Sequence, residues 1–137
     1  MTRHPSPPQV FIDKLRLFCL DLPEVVEEQA WTGTRWCIAR KNFAHVVMIA
    51  DGWPPAYAKA AESDGPLCVL TFRTPRPAAE VPRFARPPYF LPRWWPDIVG
   101  MALDARTEWD DVDRHVADSY RTLAPKRLVQ WMDANRG

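Results

Sequence analysis

The sequence predicts an α+β domain in which an antiparallel sheet carries the N- and C-terminal helices packed on one face. Helical periodicity is confined to the two ends of the chain. The middle is built of β-branched and aromatic runs joined by short, hairpin-type turns. At 137 residues the chain is one domain by length and long enough to bury a core.

Residues 1–7 read as a flexible tail and 8–137 as a single domain. The first helix is predicted from about Pro8 to Asp21. Phe11, Leu15, Phe18 and Leu22 recur there at helical spacing, and Leu22-Pro23 ends it. Glu24 to Glu28 read as an acidic turn. A β-hairpin follows, Thr34–Ala39 and Phe43–Ala50, with Arg40-Lys41-Asn42 as its turn. With Lys41-Asn42 as a two-residue loop, Trp36 faces Val47 and Ile38 faces His45. One face then holds Trp36, Ile38, Phe43, His45, Val47 and Ile49, and a one-residue slip would invert both faces.

Asp51 to Pro55 is a turn, Tyr57–Ser63 a short helix and Leu67–Arg73 a third strand. Seven prolines between Pro75 and Pro96 exclude a regular helix or central strand there. Ile98–Leu103 is the fourth strand, with Val99, Met101 and Leu103 on one face. The next helix is predicted over Glu108–Leu123, its buried stripe Trp109, Val112, Val116, Tyr120 and Leu123, with Thr107 and Asp110 as a capping box. Pro125 opens a last helix that runs to about Asn135.

Composition narrows the function. Net charge is +1, so no whole-molecule field points to nucleic acid or membrane. No apolar run approaches the ~20 residues of a membrane span, and the first residues lack a signal-peptide core. Cys19, Cys37 and Cys68 are odd in number, widely spaced and flanked by apolar residues. They read as buried free thiols of a cytoplasmic protein. His115 lies in a helix, His4 in the tail, and His45 is expected on the face opposite Cys37. With no nucleophile motif, Walker loop or dinucleotide fingerprint, no catalytic constellation, metal site or cofactor is predicted.

Several short pieces line up with one family: Leu20-Asp21-Leu22-Pro23-Glu24-Val25 with Glu27-Glu28, then Trp31 and Arg35-Trp36-Cys37-Ile38. Lys41-Asn42-Phe43-Ala44, Arg93-Trp94-Trp95, Tyr120-Arg121 and Ala124-Pro125-Lys126-Arg127-Leu128 complete the series. On these the chain, over about residues 9–130, resembles the MmcQ/YjbR-like family, whose fold is similar to that of CyaY and frataxin. The proline-rich segment 75–96 departs from the plainer stretch expected there. The resemblance implies a non-enzymatic protein described as DNA-binding on the strength of its fold, and fold does not fix function. It also raises iron binding on an acidic ridge. Glu24, Glu27 and Glu28, and Asp110, Asp111 and Asp113, read instead as solvated helix starts.

Three sets of residues therefore carry the functional expectations. Arg35, Arg40, Lys41, Arg93, Trp94, Lys126 and Arg127 are nucleic-acid candidates, because arginine beside tryptophan pairs phosphate contact with base stacking. From Arg73 to Arg93 there are five arginines against one acid. The alternative is that long arginines cover apolar surface and pair with acids. Lys126 and Arg127 sit at the wrong pole of a helix dipole, which suggests an anionic partner. That partner is either an external phosphate or an internal ion pair of Arg127 with Glu27 or Glu28. Finally, Trp53, Trp94 and Trp95 lie in proline-rich loops, where they suit a protein or small-ligand interface or cap a sheet edge.

Overall fold

The computed structural model describes residues 4–135. Helix α1 (Gln9–Leu20) is followed by strands β1 (Val26–Gln29), β2 (Thr34–Ile38) and β3 (Lys41–Ile49). Then come helix α2 (Pro55–Ala61), strands β4 (Leu67–Arg73), β5 (Tyr89–Phe90) and β6 (Ile98–Leu103), and helices α3 (Trp109–Leu123) and α4 (Lys126–Ala134). The six strands form one sheet in the order β1-β2-β3-β4-β6-β5, every neighbouring pair antiparallel. Ile12, Leu15 and Cys19 of α1, Val112, Val116 and Tyr120 of α3, and Leu128 of α4 share one buried cluster with the sheet. The terminal helices thus lie on one face, as predicted. Strand β4, helix α3 and strand β6 match their predicted bounds to within a residue.

The hairpin is registered differently. Its two-residue turn is Ala39-Arg40, both with positive φ (50° and 67°), the backbone that matches strand twist in tight hairpins. Trp36 opposes Ala44 and Cys37 opposes Asn42, so Phe43 is the extra residue of a β-bulge. The bulge splits the predicted face. Trp36, Ile38 and Phe43 join the helix-side core, where Phe43 meets Tyr120 edge-on at 5.6 Å. Val47 and Ile49 form a second cluster on the opposite, outer face with Val69, Ala58 and Tyr57. Cys37 and His45 therefore share the outer face, contrary to expectation.

Two more differences have simple causes. The acidic turn is in part a strand: β1 is short, polar and at the sheet edge, where charged side chains are tolerated. No capping box forms, because Glu108 is the N-cap of α3 and Thr107 Oγ1 instead accepts from the Asp104 N–H at 2.8 Å. In the proline-rich segment, as expected, there is no α-helix and no central strand: the chain makes 3-10 turns at Ala78–Glu80 and Pro82–Ala85 and the two-residue edge strand β5. Residues 1–3 of the predicted tail lie outside the described residues. Within the rest, Pro7 is buried and His4 stacks on Trp53.

Candidate ligand-binding cleft

A cleft of about 510 Å³ lies between residues 4–7, the start of α1, the β1–β2 turn and Trp53. Two turns display its aromatic rim. In the first, the Ala30 N–H donates to Gly33 O at 3.1 Å, and Gly33 has φ +71°. A Cβ at Gly33 would collide with the Val46 carbonyl, so the turn can press onto β3 only with glycine there. Trp31 projects from it, 75% exposed. In the second turn, Ala50 and Trp53 exchange both backbone hydrogen bonds around Asp51-Gly52. The two indoles meet edge to face at 5.4 Å, and the His4 imidazole stacks on Trp53 at 3.5 Å, 8° from parallel. Arg16, Gln29 and Thr34 are among the polar lining, the Thr34 hydroxyl donating to Gln29 Oε1 at 3.4 Å.

His45 ties the first of these turns to α2. Its Nε2 lies 2.8 Å from Thr32 O, and its Nδ1 lies 3.1 Å from the Tyr57 hydroxyl. A carbonyl only accepts, so Nε2 carries the proton and Nδ1 accepts from Tyr57. Burial lowers the His45 pKa, which keeps the ring neutral at pH 7. Burial also pushes the Tyr57 hydroxyl up to about 12. Tyr57 in turn meets Trp94 edge-on at 4.9 Å. A single chain of contacts thus runs from the Trp31 turn through His45 and Tyr57 to Trp94. Both nitrogens of His45 are occupied, and Cys37, on the same face, is drawn to Glu28. Burial first, then the Glu28 hydrogen bond, pushes that thiol up to about 11.

The predicted ion pair of Arg127 with Glu27 or Glu28 does not form. Arg127 donates to both oxygens of Glu24 at 2.9 and 3.0 Å, in the open. Its hydrogen bonds hold the Glu24 carboxyl below the usual range. Glu27 instead accepts from Arg16 and from Trp36 Nε1, and Glu28 from Arg35 at 3.3 Å. Chain proximity decides these pairings. Glu24 sits in the turn before β1, on the rim beside the start of α4, whereas Glu27 and Glu28 point to opposite faces of β1.

The structure separates the nucleic-acid candidates. Arg35 lies on the outer face beside His45, tied to Glu28, with its Nε buried and without a partner. Arg40 and Lys41 are exposed at the hairpin tip. The strand register puts that tip at the same end of the sheet as Glu24, and hence as Arg127 and Lys126. Arg93, Trp94 and Trp95 line a different cleft of about 300 Å³ with Ala78 and Ile98. Among the arginines of 73–93, Arg73 is bound by Asp97 and Arg76 by Glu80. Trp53 was legible as a loop tryptophan. The contributions of Trp31 and His4 were not, because they rest on contacts distant in sequence.

A solved structure is similar to this fold: a structural-genomics protein from Pseudomonas syringae, with a TM-score of 0.60. The match covers 84% of this chain and 97% of that one at 13% sequence identity, and at that identity it shows the fold alone. No family model and no curated protein matches the chain. Among the described residues, no helix is long and apolar enough to cross a membrane, and no group of three or more His, Cys, Asp or Glu side chains is gathered as for a metal ion.

Proposed function

We propose that this protein is a non-enzymatic binding module whose site is the Trp31–Trp53 cleft. One observation carries the reading: two tryptophans on separately braced turns meet over a cleft of about 510 Å³, one of them 75% exposed. Rigid, exposed tryptophans of this kind anchor ligands at low entropic cost. The face of Trp53 already accepts one flat heteroaromatic ring, that of His4. Gln29 and Thr34 supply donors and acceptors for a polar edge. Protein-observed NMR with a library of planar heteroaromatic fragments tests it. Shifts should concentrate on residues 29–34 and 53 and vanish in Trp31→Ala. Fragments that map elsewhere, or that bind Trp31→Ala unchanged, overturn the reading. The three buried free cysteines favour a reducing compartment, hence the cytoplasm. The ordered series of short sequence pieces supports membership of the MmcQ/YjbR-like family.

A second reading is DNA binding at the rim, favoured by Arg40, Lys41, Lys126 and Arg127 lying at one end of the sheet with Glu24 as their near acid. Fluorescence anisotropy of labelled duplex across a salt series tests it. Phosphate contacts predict a steep loss of affinity with salt, and a smaller slope in Lys41→Ala/Lys126→Ala. Salt-independent binding, or none at low salt, rejects this reading.

A further inference from the structure

The cleft has a wall that is unlike the rest of the domain. Residues 4–8, His4-Pro5-Ser6-Pro7-Pro8, run alongside Trp53 outside any helix or strand. Each proline fixes its own φ near −65° and drives the residue before it into the extended region. His4, Ser6 and Pro7 all precede prolines, and Pro8 itself has φ −55° and ψ 133°. The segment therefore has polyproline II character. Of its residues Pro7 is buried, and the His4 ring lies flat on Trp53. Extended proline segments dock elsewhere on exposed aromatic side chains in just this way, because their conformation is already paid for.

We propose that Trp53 and the adjoining surface of this cleft recognise an extended proline-rich peptide, and that residues 4–8 lie on that surface in cis, forming one wall of the space of about 510 Å³ beside them. The inference rests on the cleft being a binding site, and it adds the class of ligand. Trp53 takes a flat ring preceding a proline, and the surface against which Pro7 is buried takes a proline face. Gln29, which lines the cleft and keeps its amide N–H groups while its oxygen accepts from Thr34, is the donor for a carbonyl such a peptide leaves unpaired. The tethered segment competes with any peptide arriving from outside. A short tether gives an effective concentration of order millimolar, so if the segment's own Kd for this surface is near ~0.1 mM, a competing peptide binds the wild type about tenfold more weakly.

The test uses the full chain carrying His4→Ala/Pro5→Ala/Pro7→Ala, which weakens the cis segment, and a synthetic peptide of residues 2–8 as probe. Tryptophan fluorescence should change saturably. Binding should be about tenfold tighter than to the wild type and lost when Trp31→Ala is added. The same peptide with its prolines replaced by alanine should bind at least several-fold more weakly. Equal binding of the alanine peptide, equal affinity of variant and wild type, or no saturable change up to about 1 mM peptide would each overturn the proposal. If the peptide fails but heteroaromatic fragments still bind in a Trp31-dependent way, only the ligand class is wrong. If both fail, the cleft is not a binding site.

Discussion

Arg16 grips Glu27 from α1 with two hydrogen bonds, Nε to Oε1 at 2.9 Å and a terminal nitrogen to Oε2 at 3.0 Å. Trp36 Nε1 donates to the same Oε1 at 2.9 Å. The Trp36 ring is fully buried, so its N–H depends on that oxygen. The Arg16 hydrogen bonds, and to a lesser degree that of Trp36, hold the Glu27 carboxyl below the usual carboxylate range. The Arg16 side chain is 41% exposed, so much of the charge attraction is screened, and the orphaned indole donor dominates the cost of losing Glu27. Glu27→Ala should destabilise by about 2 kcal/mol and Glu27→Gln, which keeps an acceptor, by about 1. Urea titration checks both, and a loss below about 0.5 kcal/mol for Glu27→Ala would mean the Trp36 donor finds water.

Arg127 and Glu24 make an equally well-formed fork, yet both side chains are more than half exposed. Solvent screening and the entropy of holding two long side chains offset such a pair. Arg127→Ala should leave the unfolding midpoint indistinguishable from wild type, and thermal melts at low and high salt should show the same. A large loss would mean that the Arg127–Glu24 fork fixes α4 to the rest of the fold.

The Trp31 turn depends on Gly33. Any side chain there meets the Val46 carbonyl head-on, and φ +71° is strained for an L-residue besides. Gly33→Ala should cost about 2–4 kcal/mol and lift the turn from β3. Because Thr32 O is the acceptor of His45, the lifted turn also frees His45 Nε2. NMR should then show shifts propagating through His45 and Tyr57. Shifts confined to residues 30–34 would show that the Trp31 turn and α2 move independently.

Which parts of this structure were visible in the sequence follows from how local their causes are. β4, β6 and α3 are written in side-chain period, and they came out as read. β1 was missed because Val26–Gln29 is a polar edge strand whose pairing, not its composition, makes it a strand. The hairpin faces were misassigned because a single extra residue, Phe43, reverses everything after it. For the same reason His45, expected on the face of Trp36, lies on the opposite one. The cation at the start of α4 did signal a carboxylate partner, but three glutamates within five residues could not be ranked without knowing which way β1 points them. Trp53 stood out as a loop tryptophan, while its partners His4 and Trp31 lie 49 and 22 residues away and share no pattern with it.

His115 gives the clearest pH dependence. It lies on α3, 8% exposed, stacked on Phe72 at 4.7 Å, with Nε2 2.7 Å from the Tyr89 hydroxyl. Arg83 donates to that hydroxyl at 3.0 Å, so Tyr89 passes its own proton to the ring nitrogen, which must be unprotonated to accept it. Burial first, then the nearby Arg83 charge, lowers the His115 pKa from 6.5 to about 4; Asp111 opposes this and Arg114 adds to it. A histidine depressed in the folded state binds its proton more readily when unfolded, so stability rises with pH through the window between the two values. Its contribution is complete above pH 6.5 and is lost as pH falls toward 4, by up to about 3 kcal/mol. His45, also depressed, acts in the same direction, and the lowered glutamates Glu24, Glu27 and Glu28 add their loss at more acidic pH. The difference between wild type and His115→Phe therefore isolates this one group. Urea midpoints measured from pH 7 to pH 4 should fall less steeply in the variant. Parallel curves would mean that water reaches the His115 ring and that its proton is shared with solvent in the folded state.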